Sequence, residues 1–308
     1  MHAMTQSSAP LAIGPSRRNV QPIELGQAGV LRPGKLRWLR ACGWAVLLFF
    51  LVAIPTGVVT RFVGGLWPKS NEPVQFAVSV FGALVALGIY TLAVRLAEKR
   101  RPPEIAVRPM LPQLCVGLLT GAAMFASVMG IMALFGLYDI QALGPASAWT
   151  PLRKALQAGV VEELIMRAVL LRLVWRAFGP WAAFAVSCAV FGFTHLGNPN
   201  ATVFAAICIA LEAGVMLGAF YALTGRIWVS VGAHIAWNFT QGYLFGAAVS
   251  GMALGPSIAR STPNAMVPEW LTGGAFGPEA SLPGMLVCLA VGLAVVWLAW
   301  RRGRFAKQ

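Results

Sequence analysis

The stretch Gly159-Val160-Val161-Glu162-Glu163-Leu164-Ile165-Met166-Arg167 places two adjacent carboxylates and one guanidinium inside an apolar run from residue 155 to residue 178. A run of that length suits a helix that crosses a bilayer, which takes about 20 residues. Charged side chains at such depth are costly, so they usually face protein or a water-filled cavity and usually have a role. The stretch therefore predicts a membrane helix with a polar site on one face.

Helical spacing assigns the three charges different roles. Glu163 and Arg167 are four residues apart and share a face, which favours a carboxylate-guanidinium pair. Glu162 is rotated by about 100° from Glu163, so its carboxylate is left over and is predicted to do the chemistry. The alternative is a helix end at which all three charges reach the membrane surface.

Composition points to an integral membrane protein. Of the 308 residues, 58% are hydrophobic and 11% are charged, whereas soluble domains carry about 25% charged residues. The net charge is +14, but the basic residues flank apolar runs, at 17–40, 95–108 and 301–307, and do not form one patch. This pattern favours anionic lipids over nucleic acid as partners and places both chain ends in the cytoplasm.

Apolar runs of near-spanning length predict an all-α fold, a polytopic membrane helix bundle of about eight transmembrane helices. The runs cover residues 41–60, 74–94, 114–138, 155–178, 181–197, 201–224, 227–248 and 284–300. Five cysteines lie within them, and their odd number argues against a disulfide framework. Cys188 and His195, seven residues apart, leave a Cys-His dyad as a minor alternative.

The runs also suggest a division of the chain. In order, we expect a disordered basic cytosolic tail (1–37), N-terminal transmembrane helices (38–110), a catalytic helical core (111–250), a Gly/Pro-rich loop (251–283), and a last transmembrane helix with a basic tail (284–308).

The histidines complete a candidate site. His195 closes the fifth run, and His234 shares a helical face with Asn238 in the seventh. With Glu162, they predict one polar cavity shared by three helices. Glu212, in the sixth run, is a further buried carboxylate, which we expect to pair with a basic side chain or to line the cavity.

Elimination narrows the chemistry. An intramembrane aspartyl protease needs two aspartates, and Asp139 is the only one in the sequence. The sequence has no HExxH zinc motif and no GxSG nucleophile loop in an apolar run. A glutamate with histidines remains, a set that can activate water either directly or through a metal.

These residues carry a family resemblance over about residues 110–250. The sequence resembles the CPBP family, also called the ABI family, which comprises type II CAAX prenyl endopeptidases and bacteriocin-processing and immunity proteins. The resemblance rests on three motifs, in order and on separate helices: Glu162-Glu163-x-x-x-Arg167, Phe191-x-x-x-His195 and His234-x-x-x-Asn238.

The resemblance implies an intramembrane endopeptidase that cleaves a membrane-associated protein or peptide in, we expect, the bacterial inner membrane. The residues matching Glu162 and His195 would activate water, and those matching His234 and Asn238 would hold the oxyanion. Members of the family are often labelled metalloproteases, and Glu162, His195 and His234 could supply a zinc site. A proton-coupled transporter and a non-catalytic scaffold or immunity protein of the same fold are the alternative functions.

Overall fold

Long helices account for most of the computed structural model, which describes residues 22–306. Within this range, the helices are α1 (Arg37–Gly64), α2 (Glu72–Ala93), α3 (Met110–Leu134), α4 (Trp149–Glu163), α5 (Pro180–Thr194), α6 (Val203–Ile209), α7 (Trp228–Phe239), the short α8 (Glu269–Thr272) and α9 (Leu282–Arg301). Four of them run on beyond these bounds: α2 as the wider π-helix Val94–Glu98, α4 as the π-helix Leu164–Leu171 and then Arg172–Phe178, α6 as the π-helix Ala210–Gly214 and then Val215–Thr224, and α7 as the π-helix Thr240–Leu244.

The fold class predicted from the sequence is confirmed as a polytopic helical membrane bundle. In the described part of the chain, six helices are long and apolar enough to cross a membrane: Arg37–Gly64, Glu72–Glu98, Met110–Leu134, Pro180–Gly197, Val203–Thr224 and Leu282–Arg301. The fourth and seventh predicted spans, α4 and α7, fall outside this set. The reason is that α4 carries many charged side chains and α7 with its extension covers only 228–244.

Small residues clamp α7 between two neighbours. A methyl group added at Gly117 or Gly121 of α3 would collide with backbone oxygens of Val229 and Ala233 on α7. On the other side, a methyl group at Gly159 of α4 would lie 2.5 Å from the Ile235 side chain. The backbones therefore approach closely, and α7 is fixed at a set depth beside the paired glutamates of α4.

The segment before α1 differs from the predicted disordered tail. Ile23, Leu25 and Leu31 are buried, and two arginines from the end of α4 hold the backbone there. Arg172 Nη1 donates to the Leu25 carbonyl at 3.1 Å, and Arg176 Nε donates to the Gly26 carbonyl at 2.9 Å. Residues 22–36 therefore pack against the bundle, while 1–21 of the predicted tail, and 307–308, lie outside the described residues.

The Gly/Pro-rich loop before α9 is a packed cap. Antiparallel strands β1 (Tyr138–Ala142) and β2 (Ala259–Pro263) pair with Tyr138 opposite Pro263 and Ala142 opposite Ala259. Phe276 and Ala280 are buried, and they pack with residues of α4, α5 and α6 in one small core. This cap covers one end of the helices that carry the candidate site.

Candidate active site

Glu163 stands where α4 widens into its π-helix, a local change of pitch that is frequent at functional sites. Its side chain is fully buried. Oε2 accepts a hydrogen bond from Arg167 Nε at 2.9 Å, the pairing that their four-residue spacing predicts. Oε1 accepts from His234 Nδ1 at 3.1 Å. Both carboxylate oxygens are therefore engaged, one within α4 and one across to α7.

Arg167 joins α4 to two other helices. Nη1 donates to Ser187 Oγ at 3.3 Å on α5 and to the Gly214 carbonyl at 3.4 Å on α6. Nη2 donates to the Ala213 carbonyl at 3.3 Å, and the guanidinium lies 5.2 Å from the centroid of the Phe191 ring. A buried guanidinium needs such partners to be tolerated, so Arg167 fixes three helices around Glu163.

Glu162 is the carboxylate that this network does not use. It is half-buried, and among the described residues it forms no ion pair. Its side chain lines a cavity of about 610 Å³, which His195, His234, Asn238 and Ser250 also line. The glutamate that spacing leaves over therefore faces the same space as both histidines and the asparagine.

His195 lies in the single 3₁₀ turn His195–Gly197 that ends α5. Its Nδ1 is 2.7 Å from the Phe191 carbonyl oxygen. A carbonyl can only accept, so Nδ1 carries the proton, and Nε2 of the neutral ring keeps a lone pair. The Phe191 ring also packs edge-on against His195 at 5.0 Å and against His234 at 6.2 Å. One aromatic residue thus separates and orients both imidazoles.

His234 has the opposite proton requirement. Because the Glu163 carboxylate accepts from Nδ1, Nε2 can donate a hydrogen bond only when the ring is protonated on both nitrogens. Two negative charges favour that state, since Glu162 and Glu163 both attract positive charge on this imidazole. Asn238, one turn further along α7, is 8% exposed and lines the same cavity. The face predicted for His234 and Asn238 is therefore a face of potential donors.

Sequence reasoning missed Ser250, which lies in a tight turn at the rim of this cavity. Its φ is 48°, a left-handed conformation that is uncommon outside glycine, and Gly251 follows with φ 81°. The turn is closed by the Val249 amide, which donates to the Met252 carbonyl at 2.8 Å. The Ser250 amide donates to the carboxylate of Glu279. Strained residues of this kind tend to cluster at functional sites.

A second, smaller cavity of about 30 Å³ lies next to the first and shares His195, His234 and Asn238 with it. This volume suits a water molecule. Glu212 and Glu279 line it, and Glu212 Oε2 is buried with no hydrogen-bond partner in the described part of the chain. Burial raises the pKa of the Glu279 carboxyl. Glu212 therefore lines a cavity, one of the two outcomes expected for it, and Glu279 lay in a loop without periodicity and gave no signal.

The zinc prediction relied on Glu162, His195 and His234. Within residues 22–306, no group of three or more His, Cys, Asp or Glu side chains is arranged to hold a metal ion. The three donors line one cavity but do not converge on one point, so as arranged they do not fit a zinc centre with three protein ligands. We derive no catalytic step through a metal, and zinc binding stays a prediction.

Comparison with known proteins supports the interpretation of this region. No curated protein and no solved structure matches the chain. Residues 144–240 match the family model described as type II CAAX prenyl endopeptidase Rce1-like, and this match covers all three motifs. It confirms the family resemblance, implies protease activity, and agrees with a multi-pass membrane protein. The chain therefore carries, over residues 144–240, a domain of the type II CAAX prenyl endopeptidase Rce1-like family.

Proposed function

We propose that the protein is an intramembrane endopeptidase in which Glu162 and His195 activate a water molecule to hydrolyse a peptide bond of a membrane-associated protein or peptide. One observation carries this proposal: Glu162 has no ion-pair partner among the described residues and faces a cavity that both histidines line, whereas the adjacent Glu163 is fully engaged. A carboxylate kept without a counter-ion in a partly buried cavity is suited to act as a base.

The first step divides between two groups. Glu162 accepts a proton from the water, and His195 orients that water through the lone pair of Nε2. The water oxygen then forms a bond to the peptide carbonyl carbon, and negative charge develops on the carbonyl oxygen. His234 Nε2–H and the Asn238 amide would donate to this oxyanion, a contribution of about 3 kcal/mol for each donor in comparable sites.

The second step returns the proton. Protonated Glu162 gives its proton to the leaving nitrogen, the C–N bond breaks, and the products are a carboxylate and an amine. Glu163 takes no part in the transfer. Its role is to hold His234 in the doubly protonated form that can donate from Nε2, and Arg167 keeps the Glu163 carboxylate charged and in place.

The cavity is large and mixed in character, as a peptide site requires. Apolar side chains of Phe49, Val161, Ile165 and Leu254 line it, beside the polar groups already described. Its volume of about 610 Å³ lies within the range of small-ligand pockets. A short extended segment with apolar side chains, or with an attached lipid chain, is the class of substrate that fits such walls.

The test is to purify the chain in detergent and to incubate it with membrane-associated peptides, including peptides that end in a prenylated CAAX sequence. We expect Glu162→Gln to slow cleavage by about 10²- to 10⁴-fold, the usual worth of a general base. Glu269→Gln, at an exposed position of α8, is the matched control and should cleave as the wild type does. Equal cleavage by the wild type and Glu162→Gln would reject the assignment.

A chelator arm addresses the zinc prediction. If Glu162 and His195 activate water unaided, cleavage by the wild type should be unchanged after chelation and dialysis. Loss of cleavage that added zinc restores would instead make a metal part of the reaction. Intact peptides together with solute transport that depends on Glu162 would favour the transporter, and a cellular phenotype retained without either histidine would favour the scaffold.

A further inference from the structure

A second large cavity, of about 790 Å³, opens at the end of the bundle where α1 begins and α4 and α9 end. Lys35, Arg37 and Arg176 line it, together with aromatic side chains that include Trp175 and Phe305. We propose that this basic cavity binds the phosphate group of an anionic lipid headgroup. This inference is independent of the proposed hydrolysis, because the cavity shares no lining residue with the candidate active site.

The charges around the basic cavity are of one sign. In the described part of the chain, no acidic residue lines it, and neither Lys35 nor Arg37 forms an ion pair there. Arg37 and Arg40 lie close enough to Arg176 to disfavour its positive charge. Like charges held together in this way destabilise the protein unless an anion lies between them.

The neighbouring carboxylates are engaged elsewhere. Glu24, the nearest acid along the chain, forms a 3.8 Å ion pair with Arg100, outside the basic cavity. The remaining ends of the chain cannot supply a counter-charge either, since residues 1–21 and 301–308 contain no aspartate or glutamate. The neutralising anion must therefore come from outside the chain.

Position and aromatic content favour a lipid as the source of the phosphate. Trp38 and Phe178 pack at 6.5 Å and Trp181 and Phe305 at 5.2 Å beside the basic cavity. Trp38, Phe178 and Trp181 remain largely exposed. Exposed tryptophans at the ends of membrane helices lie at the level of the headgroups. The basic cavity is thus at the depth at which a lipid phosphate is found.

The experiment measures binding of phosphatidylglycerol labelled on an acyl chain to the full-length protein in dodecyl maltoside micelles, with equally labelled phosphatidylcholine as the uncharged comparison. The variant is Lys35→Gln with Arg37→Gln, because neither side chain makes a hydrogen bond or ion pair within the described residues. Each basic residue near a membrane surface is worth about a five-fold change in affinity, so we expect phosphatidylglycerol to bind about 25-fold more weakly to the variant.

The matched control is Arg61→Gln with Lys69→Gln, which removes the same two charges from exposed positions at the opposite end of α1 and just beyond it. It should bind phosphatidylglycerol as the wild type does. Competition by inorganic phosphate at millimolar concentration would support the anion site while identifying a soluble phosphate as its ligand. Equal affinity of both lipids for the wild type, or equal loss in the variant and the control, would overturn the proposal.

Discussion

The long helix α4 meets buried charge at two places, and the protein treats them in opposite ways. At its far end, fully buried Arg172 donates to both oxygens of Glu98, at 2.7 and 3.0 Å. Glu98 also accepts from Arg100 and from Trp44, and Arg100 forms two hydrogen bonds to Glu104. In this charge knot (Glu98, Arg100, Glu104 and Arg172), every carboxylate has a cationic partner.

In the candidate site, by contrast, one carboxylate of two is left without a counter-ion. Glu163 resembles the charge knot, because both of its oxygens are bonded, whereas Glu162 faces the cavity and has no ion-pair partner among the described residues. Complete pairing is what a structural network needs to offset the cost of desolvation. A carboxylate left unpaired stabilises nothing but keeps its basicity, so the difference separates groups that hold the fold from the group that can react.

Breaking the charge knot should have the largest effect. Arg172→Ala leaves Glu98 with a weaker set of partners, and removing one member of a buried ion pair costs about 3 to 5 kcal/mol of the free energy of unfolding. The midpoint of thermal unfolding in detergent, followed by tryptophan fluorescence, should fall sharply. Arg176→Ala, one turn further along, removes hydrogen bonds to backbone carbonyls only and should lower the midpoint less. Equal midpoints for the two variants would contradict the comparison.

The pair Glu163→Gln and Glu162→Gln sharpens it within one turn of helix. Glu163→Gln removes the charge that Arg167 and His234 require, and hydrogen bonds to charged groups are worth about 1.5 to 3 kcal/mol. We expect it to lower both the unfolding midpoint and the cleavage rate. Glu162→Gln should lower the rate alone and leave the midpoint within a degree or so of the wild type. A large drop in midpoint for Glu162→Gln would mean that Glu162 is a structural charge after all.

Local spacing predicted one half of this site and could not predict the other. The contact between Glu163 and Arg167 follows from helical geometry, because residues four apart always share a face. The bond from Glu163 to His234 joins residues on different helices. Which helices become neighbours depends on the close approach that Gly159 and Gly121 allow, and hydropathy does not encode that choice.

The remaining differences arise where periodicity is absent. Residues 22–36 have a polar, basic composition, so composition predicts disorder, yet Leu25 and Leu31 are buried and Arg172 binds a backbone carbonyl there. Ser250 and Glu279 lie in a segment rich in glycine and proline, where no helical or strand pattern marks which side chains face inward. Backbone contacts of this kind depend on the folded chain and leave no trace in spacing.

Asn238 tests whether the donors of the site act on the transition state alone. Asn238→Ala removes one proposed oxyanion donor, and loss of such a donor costs about 10² to 10³ in kcat. Since the amide has no hydrogen-bond partner within the described residues, KM and the unfolding midpoint should change little. A rise in KM with kcat unchanged would assign Asn238 to substrate binding instead.

Glu279 provides the smallest effect and a third kind of buried charge. Burial raises its pKa, whereas in the unfolded chain a glutamate titrates near about 4.3. Between those two values, the folded protein binds more protons than the unfolded chain, so this group makes the unfolding free energy fall as pH rises. Glu279→Gln cannot titrate, and its amide oxygen can still accept from the Ser250 amide.

Compared with the wild type, the Glu279→Gln midpoint should therefore rise steadily from about pH 4 and level off above the folded pKa. The measurement is a series of thermal unfolding curves for both proteins at matched pH. A difference that does not change with pH would mean that Glu279 is ionised in the fold at every pH tested. Glu279 would then belong with the paired carboxylates of the charge knot, held by the Ser250 turn and its other neighbours. A difference that grows would make it a neutral wall of the smaller cavity, and Glu162 would remain the carboxylate on which hydrolysis depends.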